Sequence, residues 1–220
     1  MNGMKLLLTG FEPFGGEKIN PSWEVVQQVS AEGVEGVEIV TKLLPTVFGR
    51  SIDEVIRTID EEKPDLVISL GQAGGRSEIT IERVAINISD AGSPDNDNNQ
   101  PVDMPIADSG PAAYFSTLPI KAVVEELRRA GIPARVSNTA GTFVCNHVMY
   151  GVLHYIAERK LPIRAGFIHI PYLPEQAVKH RGAPSMSLSD MTRAVKVAIS
   201  AAVKDGVRTA AGLQKKSTKG

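Results

Sequence analysis

The sequence predicts a single α/β domain, a three-layer α/β/α sandwich whose twisted sheet is mostly parallel with an antiparallel addition. Three observations carry this. Short apolar runs ended by Gly or Pro alternate with segments of helical spacing, the pattern of β-α-β units. Several of those runs are apolar throughout, as strands covered on both faces are. The chain has 220 residues with no shift of composition along it. That is enough for one real core and gives no boundary for a second, so residues 1–210 are read as one domain.

Lys5-Leu-Leu-Leu-Thr9, ended by Gly10, suits a central first strand. Asn20-Pro21-Ser22 offers a helix cap before Trp23, Val25, Val26 and Val29, and Val37 to Leu44 reads as the next strand, closed by Pro45. Ser51-Ile-Asp-Glu54 has the form of a capping box, opening a helix with Ile52, Val55, Ile56 and Ile59 on its apolar face and its stop at Lys63-Pro64. Leu66 to Leu70 is the third strand. The Gly-rich stretch 71–76 behind it is neither G-x-G-x-x-G nor a Walker loop, and no helical pattern follows, which argues against phosphate binding. Glu78 to Ile88 alternates and is rich in β-branched residues, so strands or a hairpin are expected, the antiparallel addition. Residues 90–119 are rich in Pro, Asp, Asn and Ser without a period, the signature of one long loop acting as a lid or an arm between subunits.

Lys121 to Ala130 reads as a helix ended by Gly131, Ala134 to Ser137 as a short strand and Asn138 to Gly141 as turn chemistry. From Val148 the apolar residues recur at helical spacing as far as Ala157, which places Cys145 in the helix's first turn. Arg164 to Ile170 is the next strand. Ser187-Leu-Ser-Asp190 can box the start of a last helix running to about Val203, and residues 211–220 are expected to be a flexible basic tail.

Composition excludes several functions. Lys+Arg number 24 and Asp+Glu 25, and no basic stripe is interleaved with aromatics, so a nucleic-acid partner has no electrostatic footprint. No apolar run approaches the roughly 20 residues that span a bilayer, which leaves no membrane partner and predicts a soluble, cytoplasmic protein. One cysteine makes no internal disulfide, and no Cys/His spacing has zinc-site form, so no metal is expected.

Cys145 is then read either as a small buried hydrophobe or as a nucleophile. Unpaired N–H groups of a helix start favour thiolate and would lower the thiol pKa, and they would also hold a developing oxyanion. Of His147, His154, His169 and His180, His169 is preferred as its base. It lies near the C-terminal end of the following strand, the sheet edge expected to carry Cys145, whereas His147 and His154 project badly from the same helix. A satisfied core histidine is the rival reading. A third, orienting group is not chosen by pattern. Glu82 is of interest because it interrupts an apolar strand, although strict alternation at Glu78, Thr80 and Glu82 equally suits a solvent-facing position. Phe11 and Phe14, flanking Pro13 in a glycine-rich loop, line a flat apolar pocket in this reading, with Gln72 supplying amide hydrogen bonds.

Over nearly its whole length the chain resembles the pyroglutamyl peptidase I family of cysteine peptidases. The stretches that carry the likeness are Leu8-Thr-Gly-Phe-Glu-Pro-Phe-Gly-Gly16 with Asn20-Pro21-Ser22, Leu70-Gly-Gln-Ala-Gly-Gly75, Ile81-Glu-Arg-Val-Ala-Ile-Asn87, Asn99-Gln-Pro101, Asn138-Thr-Ala-Gly-Thr-Phe-Val-Cys-Asn146 and Phe167-Ile-His-Ile-Pro171. The resemblance implies a Cys145, His169, Glu82 triad that removes an N-terminal pyroglutamyl residue from peptides, with no metal or cofactor. It implies Phe11, Phe14, Asn20, Gln72 and Phe143 as the ring-binding set, and a homotetramer or homodimer. Many members carry an arginine in the loop after Asn87-x-x-Asp90 as an oxyanion donor, where this chain has Ala91-Gly92-Ser93. Two rival functions are a phosphorylase-like transferase, disfavoured by the lack of a phosphate loop, and a non-catalytic binder whose thiol senses oxidation.

Overall fold

Strand β1 (Met4–Phe11) lies between β2 (Val37–Leu44) and β3 (Leu66–Gln72), and helix α1 (Pro21–Glu32) makes the first crossover. The computed structural model describes residues 3–217, with side chains as far as Lys204. The Asn20 carboxamide oxygen caps α1 by accepting the Ser22 N–H at 3.1 Å, and Pro21 sits where its missing N–H has no helical partner to lose. Helix α2 (Arg50–Glu62) starts one residue before the expected capping box. Its N-cap is Gly49, and Ser51 Oγ is buried without a partner among the described residues, so the predicted box does not form. The predicted stop does hold: Lys63, just before Pro64, takes a left-handed conformation with φ 48°.

Among the described residues six strands form the main sheet, in the order β2-β1-β3-β8-β4-β7. Here β4 is Ile79–Glu82, β7 Ala134–Ser137 and β8 Arg164–Ile170. The pairs from β2 through β8 are parallel, while β4 is antiparallel to β8 and parallel to β7. The antiparallel addition is therefore inside the sheet, and it reverses the sense of two strands together. Residues 84–86 (β5) do not form a hairpin with β4; they pair with β6 (Ala113–Phe115) in a separate two-stranded ribbon. β6 lies within the segment expected to be one long loop, because three residues are too few to show a period.

The two faces have separate cores. On one, Leu6, Leu8, Ile68, Ile79, Ile81 and Ile168 pack against α1, α3 (Ile120–Arg129) and α6 (Leu188–Ser217). On the other, Leu7, Val67, Ala165 and Phe167 meet α2 and α4 (Val144–Arg159). The continuous apolar runs of the central strands follow from this double cover. Ser187 Oγ accepts the Asp190 N–H at 3.1 Å, one of the two bonds of the second predicted box, while the Asp190 carboxylate accepts from the Ser187 hydroxyl. Helix α6 then continues to Ser217, past the Val203 its apolar spacing suggests. The expected tail at 211–220 falls on residues whose side chains, and for 218–220 the backbone too, lie outside the described residues. Among the described residues no helix is long and apolar enough to cross a membrane.

Candidate active site

Strand alternation decides which polar groups meet. In β4, Ile79 and Ile81 face the α1/α3/α6 core, so Thr80 and Glu82 face the α2/α4 side. Thr80 pairs with His169 across the antiparallel junction, and Glu82, two residues on, is its diagonal neighbour. Glu82 Oε1 accepts His169 Nδ1 at 2.8 Å, with Glu82 0% and His169 4% exposed. The solvent-facing reading of Glu82 is thus overturned. Alternation with polar residues usually marks a wet face, but here both neighbours of β4 are strands and α4 covers the polar side.

Cys145 reaches this face from α4. Gly71 pairs in register with His169 on the adjacent parallel strand, so both present the same face. An ideal Cβ on Gly71 would lie 2.8 Å from Cys145 Sγ and 2.7 Å from the Phe167 ring. The thiol therefore rests on bare backbone at the strand position in register with His169, a seat only glycine provides. The route differs from the expected one. β7 runs opposite in sense to β8, so its C-terminal end is not the edge at which β3 and β8 end. The chain returns over the α4 face through the 138–143 turn, where Thr139 O accepts Ser137 Oγ at 3.0 Å and Arg76 Nη2 at 3.3 Å.

The electrostatics correct one expectation. Burial first, and the Glu82 charge second, push the Cys145 thiol up to about 12, where the helix start alone was expected to lower it. Desolvation wins because Phe167, the Gly71 backbone and its own helix pack around the thiol, although Cys145 as a residue is half-buried. Burial likewise lowers the His169 pKa against the opposing pull of Glu82. Burial is the largest single influence on the Glu82 carboxylate and pushes its pKa up, but His169, Ser137 and Arg76 together outweigh it and keep the group below the usual carboxylate range. An ionised Glu82 facing a neutral imidazole fixes the hydrogen on Nδ1 and leaves Nε2 as the free base. The resting site is a neutral thiol beside a neutral imidazole. No described side chain caps α4, and its first intrahelical bond runs from His147 N–H to Phe143 O, so the N–H groups of its first turn remain turned outward to the site.

An aromatic wall stands next to this set. Phe14 and Phe143 lie 6.0 Å apart, and Phe48 meets Phe143 edge-on at 5.3 Å. Phe11 is nearly buried, packing at 6.2 Å on Phe167, which in turn lies 4.8 Å from His169. Gln72 is held by its carbonyl, which accepts Gln176 Nε2 at 2.8 Å, so its amide donors face the other way. The Asn20 amide braces Glu12 O at 3.0 Å while its oxygen caps α1, so its polar atoms shape the loop that carries Phe14. The remaining histidines stand apart. His147 accepts the Gly49 N–H at 2.9 Å and faces Ser89 Oγ, with its pKa pushed down to about 4 by burial. His154 faces Tyr114, and His180 pairs with Glu17.

Three residues escape sequence reasoning. Phe48 has no motif around it. Arg76 closes a loop considered only for phosphate. Asn146, 0% exposed, ties α4 to Ile86 and Ile88 through three hydrogen bonds, and a carboxamide inside an otherwise apolar helix was its available signal. Among the described residues no group of three or more His, Cys, Asp or Glu converges as metal ligands.

Comparison with known proteins places the chain. The family described as "Pyroglutamyl peptidase" matches residues 4–205. The pyrrolidone-carboxylate peptidase of Erwinia tasmaniensis is 60% identical over 210 residues, covering 94% of this chain and 98% of that one. That of Yersinia pestis is 59% identical over 199 residues, covering 90% and 93%. The crystal structure of pyroglutamyl peptidase I from Bacillus amyloliquefaciens superposes with a TM-score of 0.88 at 52% identity, covering 91% of this chain and 95% of its own. A mutant pyrrolidone carboxyl peptidase from Pyrococcus furiosus gives 0.88 at 46%, covering 92% and 99%. On sequence and fold alike, the chain belongs to the pyroglutamyl peptidase family.

Proposed function

We propose that the protein hydrolyses the amide bond after an N-terminal pyroglutamyl residue, with Cys145 as nucleophile, His169 as general base and acid, and Glu82 as the group that orients the imidazole. The observation that carries this reading is the line across one sheet face, Glu82 to His169 Nδ1 at 2.8 Å and the Cys145 thiol on Gly71, the residue in register with His169. His169 Nε2 takes the thiol proton as sulfur attacks the pyroglutamyl carbonyl. The oxyanion forms against the first-turn N–H groups of α4. Collapse breaks the C–N bond, and His169 returns the proton to the departing amine. Water, deprotonated by the same imidazole, then cleaves the thioester and releases pyroglutamate. No step uses a metal or cofactor.

A pyroglutamyl ring carries no ammonium, so its site needs flat apolar faces and a few amide contacts, with no carboxylate anchor. Phe14 and Phe143 supply the faces, with Phe11 behind them. Gln72, its carbonyl already engaged, offers N–H to the lactam oxygen, and Asn20 acts by holding the loop. The test is turnover of a pyroglutamyl fluorogenic amide by folded wild-type protein before and after thiol alkylation. Turnover abolished by alkylation is expected; turnover that survives it excludes the thiol route.

Gly92 bears on the oxyanion. Thr142, three residues before Cys145, bonds Asp90 through both N and O atoms of that loop, which keeps residue 92 at the rim of the site. A Cβ there would meet nothing within 4 Å, and the φ is not in the left-handed region. Gly92→Arg is therefore expected to fold normally and to raise kcat by about tenfold, less than the 10²–10³ that a mature donor supplies. A kcat equal to wild type would assign the oxyanion to α4 alone.

We also read the 90–119 segment as an arm between subunits of a homodimer or homotetramer. Val102 is 67%, Met104 55% and Phe115 70% exposed, an apolar load more suited to an interface than to water. A single reduced cysteine suits the cytoplasm.

A further inference from the structure

Glu82 Oε1 has a second cationic partner. Arg76 Nη1 lies 2.7 Å from the oxygen that accepts His169, and 2.5 Å from Thr80 Oγ1. Its Nη2 donates to Thr139 O, in the turn that delivers Cys145. One guanidinium therefore links the strand carrying the carboxylate to the turn carrying the thiol, and it is only 23% exposed. The planar fork makes this possible, since a single ammonium does not reach three acceptors in fixed directions.

The charge matters as much as the fork. A lone carboxylate in a fully buried position would favour its protonated form, and a protonated Glu82 would neither fix the imidazole tautomer nor stabilise imidazolium. With Arg76 present the buried set Arg76, Glu82, His169, Cys145 is neutral overall. It stays neutral when the proton moves from sulfur to imidazole. The charged groups facing His169 are Glu82 from β4 and Arg76 from the β3–β4 turn, with the Cys145 thiol facing from α4. Arg76 opposes the imidazolium and favours the thiolate, so it acts as a counterweight to Glu82 on the same oxygen.

We propose that Arg76 is a positioning residue of the reaction, holding Glu82 ionised and the 138–143 turn in place so that Cys145 and His169 exchange their proton near neutral pH. This rests on the triad assignment above. Removing a positive charge from the cluster raises the proton affinity of every group left in it. Arg76→Gln should therefore move both limbs of the kcat/KM pH profile of pyroglutamyl-amide hydrolysis upward, by about 1 unit. Glu82→Gln should move the acid limb the opposite way. Arg76→Lys keeps the charge and loses the fork, so its limbs should stay put while plateau kcat/KM falls about tenfold, in keeping with small misplacements of reacting groups.

Arg76→Gln limbs that coincide with wild type would overturn the electrostatic role. If that variant does not fold, as judged by circular dichroism and thermal unfolding, Arg76→Lys decides alone: a plateau equal to wild type overturns the positioning role. Wild-type turnover that persists after Cys145 is alkylated would instead sink the triad itself. The two failures are thus read from different samples.

Discussion

Cys145→Ser is expected to lower kcat/KM for a pyroglutamyl amide by about 10⁴-fold or more while the protein remains folded, since removing the nucleophile of such a set abolishes most of the catalysis the set supplies. The site is built for sulfur. His169 is enclosed and has a lowered pKa, which makes its imidazole a modest base. A thiol, even one pushed up to about 12, lies within reach of that base once a substrate carbonyl begins to draw electron density. A serine hydroxyl, several units less acidic, does not. Packing is nearly unchanged, because the smaller oxygen sits over Gly71 without displacing Phe167. Thermal unfolding within a few degrees of wild type, with residual turnover near background, is the expected pair of results. Substantial turnover by the serine variant would move the nucleophile elsewhere.

Glu82→Gln is expected to reduce kcat/KM by about 10³-fold, equivalent to about 4 kcal/mol of transition-state stabilisation. The amide keeps the shape and an acceptor for His169 Nδ1–H but not the charge. Glu82 raises the His169 pKa, so its loss weakens the base further and leaves the imidazolium without a counter-ion. Stability should change much less. Arg76, no longer facing a carboxylate, keeps Thr80 Oγ1 and Thr139 O as acceptors and is partly solvated. Steady-state kinetics against pH, set beside denaturant unfolding, checks both. Rates near wild type would return Glu82 to a structural role.

Much of the fold is legible in the residues. Val37–Leu44, Ala134–Ser137 and Arg164–Ile170 have the same limits as strands in the structure as in the pattern, because Gly or Pro stands close to every end except Ser137, where the Asn138 turn takes over. Cys145 and His169 are legible as well, one by its place at a helix start and the other by its place late in a strand. The partner of a strand is not. Nothing in Ile79–Glu82 says that it runs between β8 and β7 with its sense reversed, so the depth of Glu82 and the path of the 138–143 turn are invisible until the sheet is assembled. The raised thiol pKa is hidden for the same reason. A helix start is local and readable, whereas packing against Phe167 and Gly71 depends on strands far away in sequence. Arg76 is missed because its three acceptors lie on β4 and at residue 139.

The reversed junction between β4 and β8 has a bearing on synthesis. Its central bond joins residues 87 apart, and the three groups leave the ribosome in the order carboxylate, thiol, imidazole. On the proposed assignment, a nascent chain with β8 still in the exit tunnel holds the Cys145 thiol without His169 and lacks the strand that completes its seat. Under that assignment the thiol meets its base only when the sheet closes.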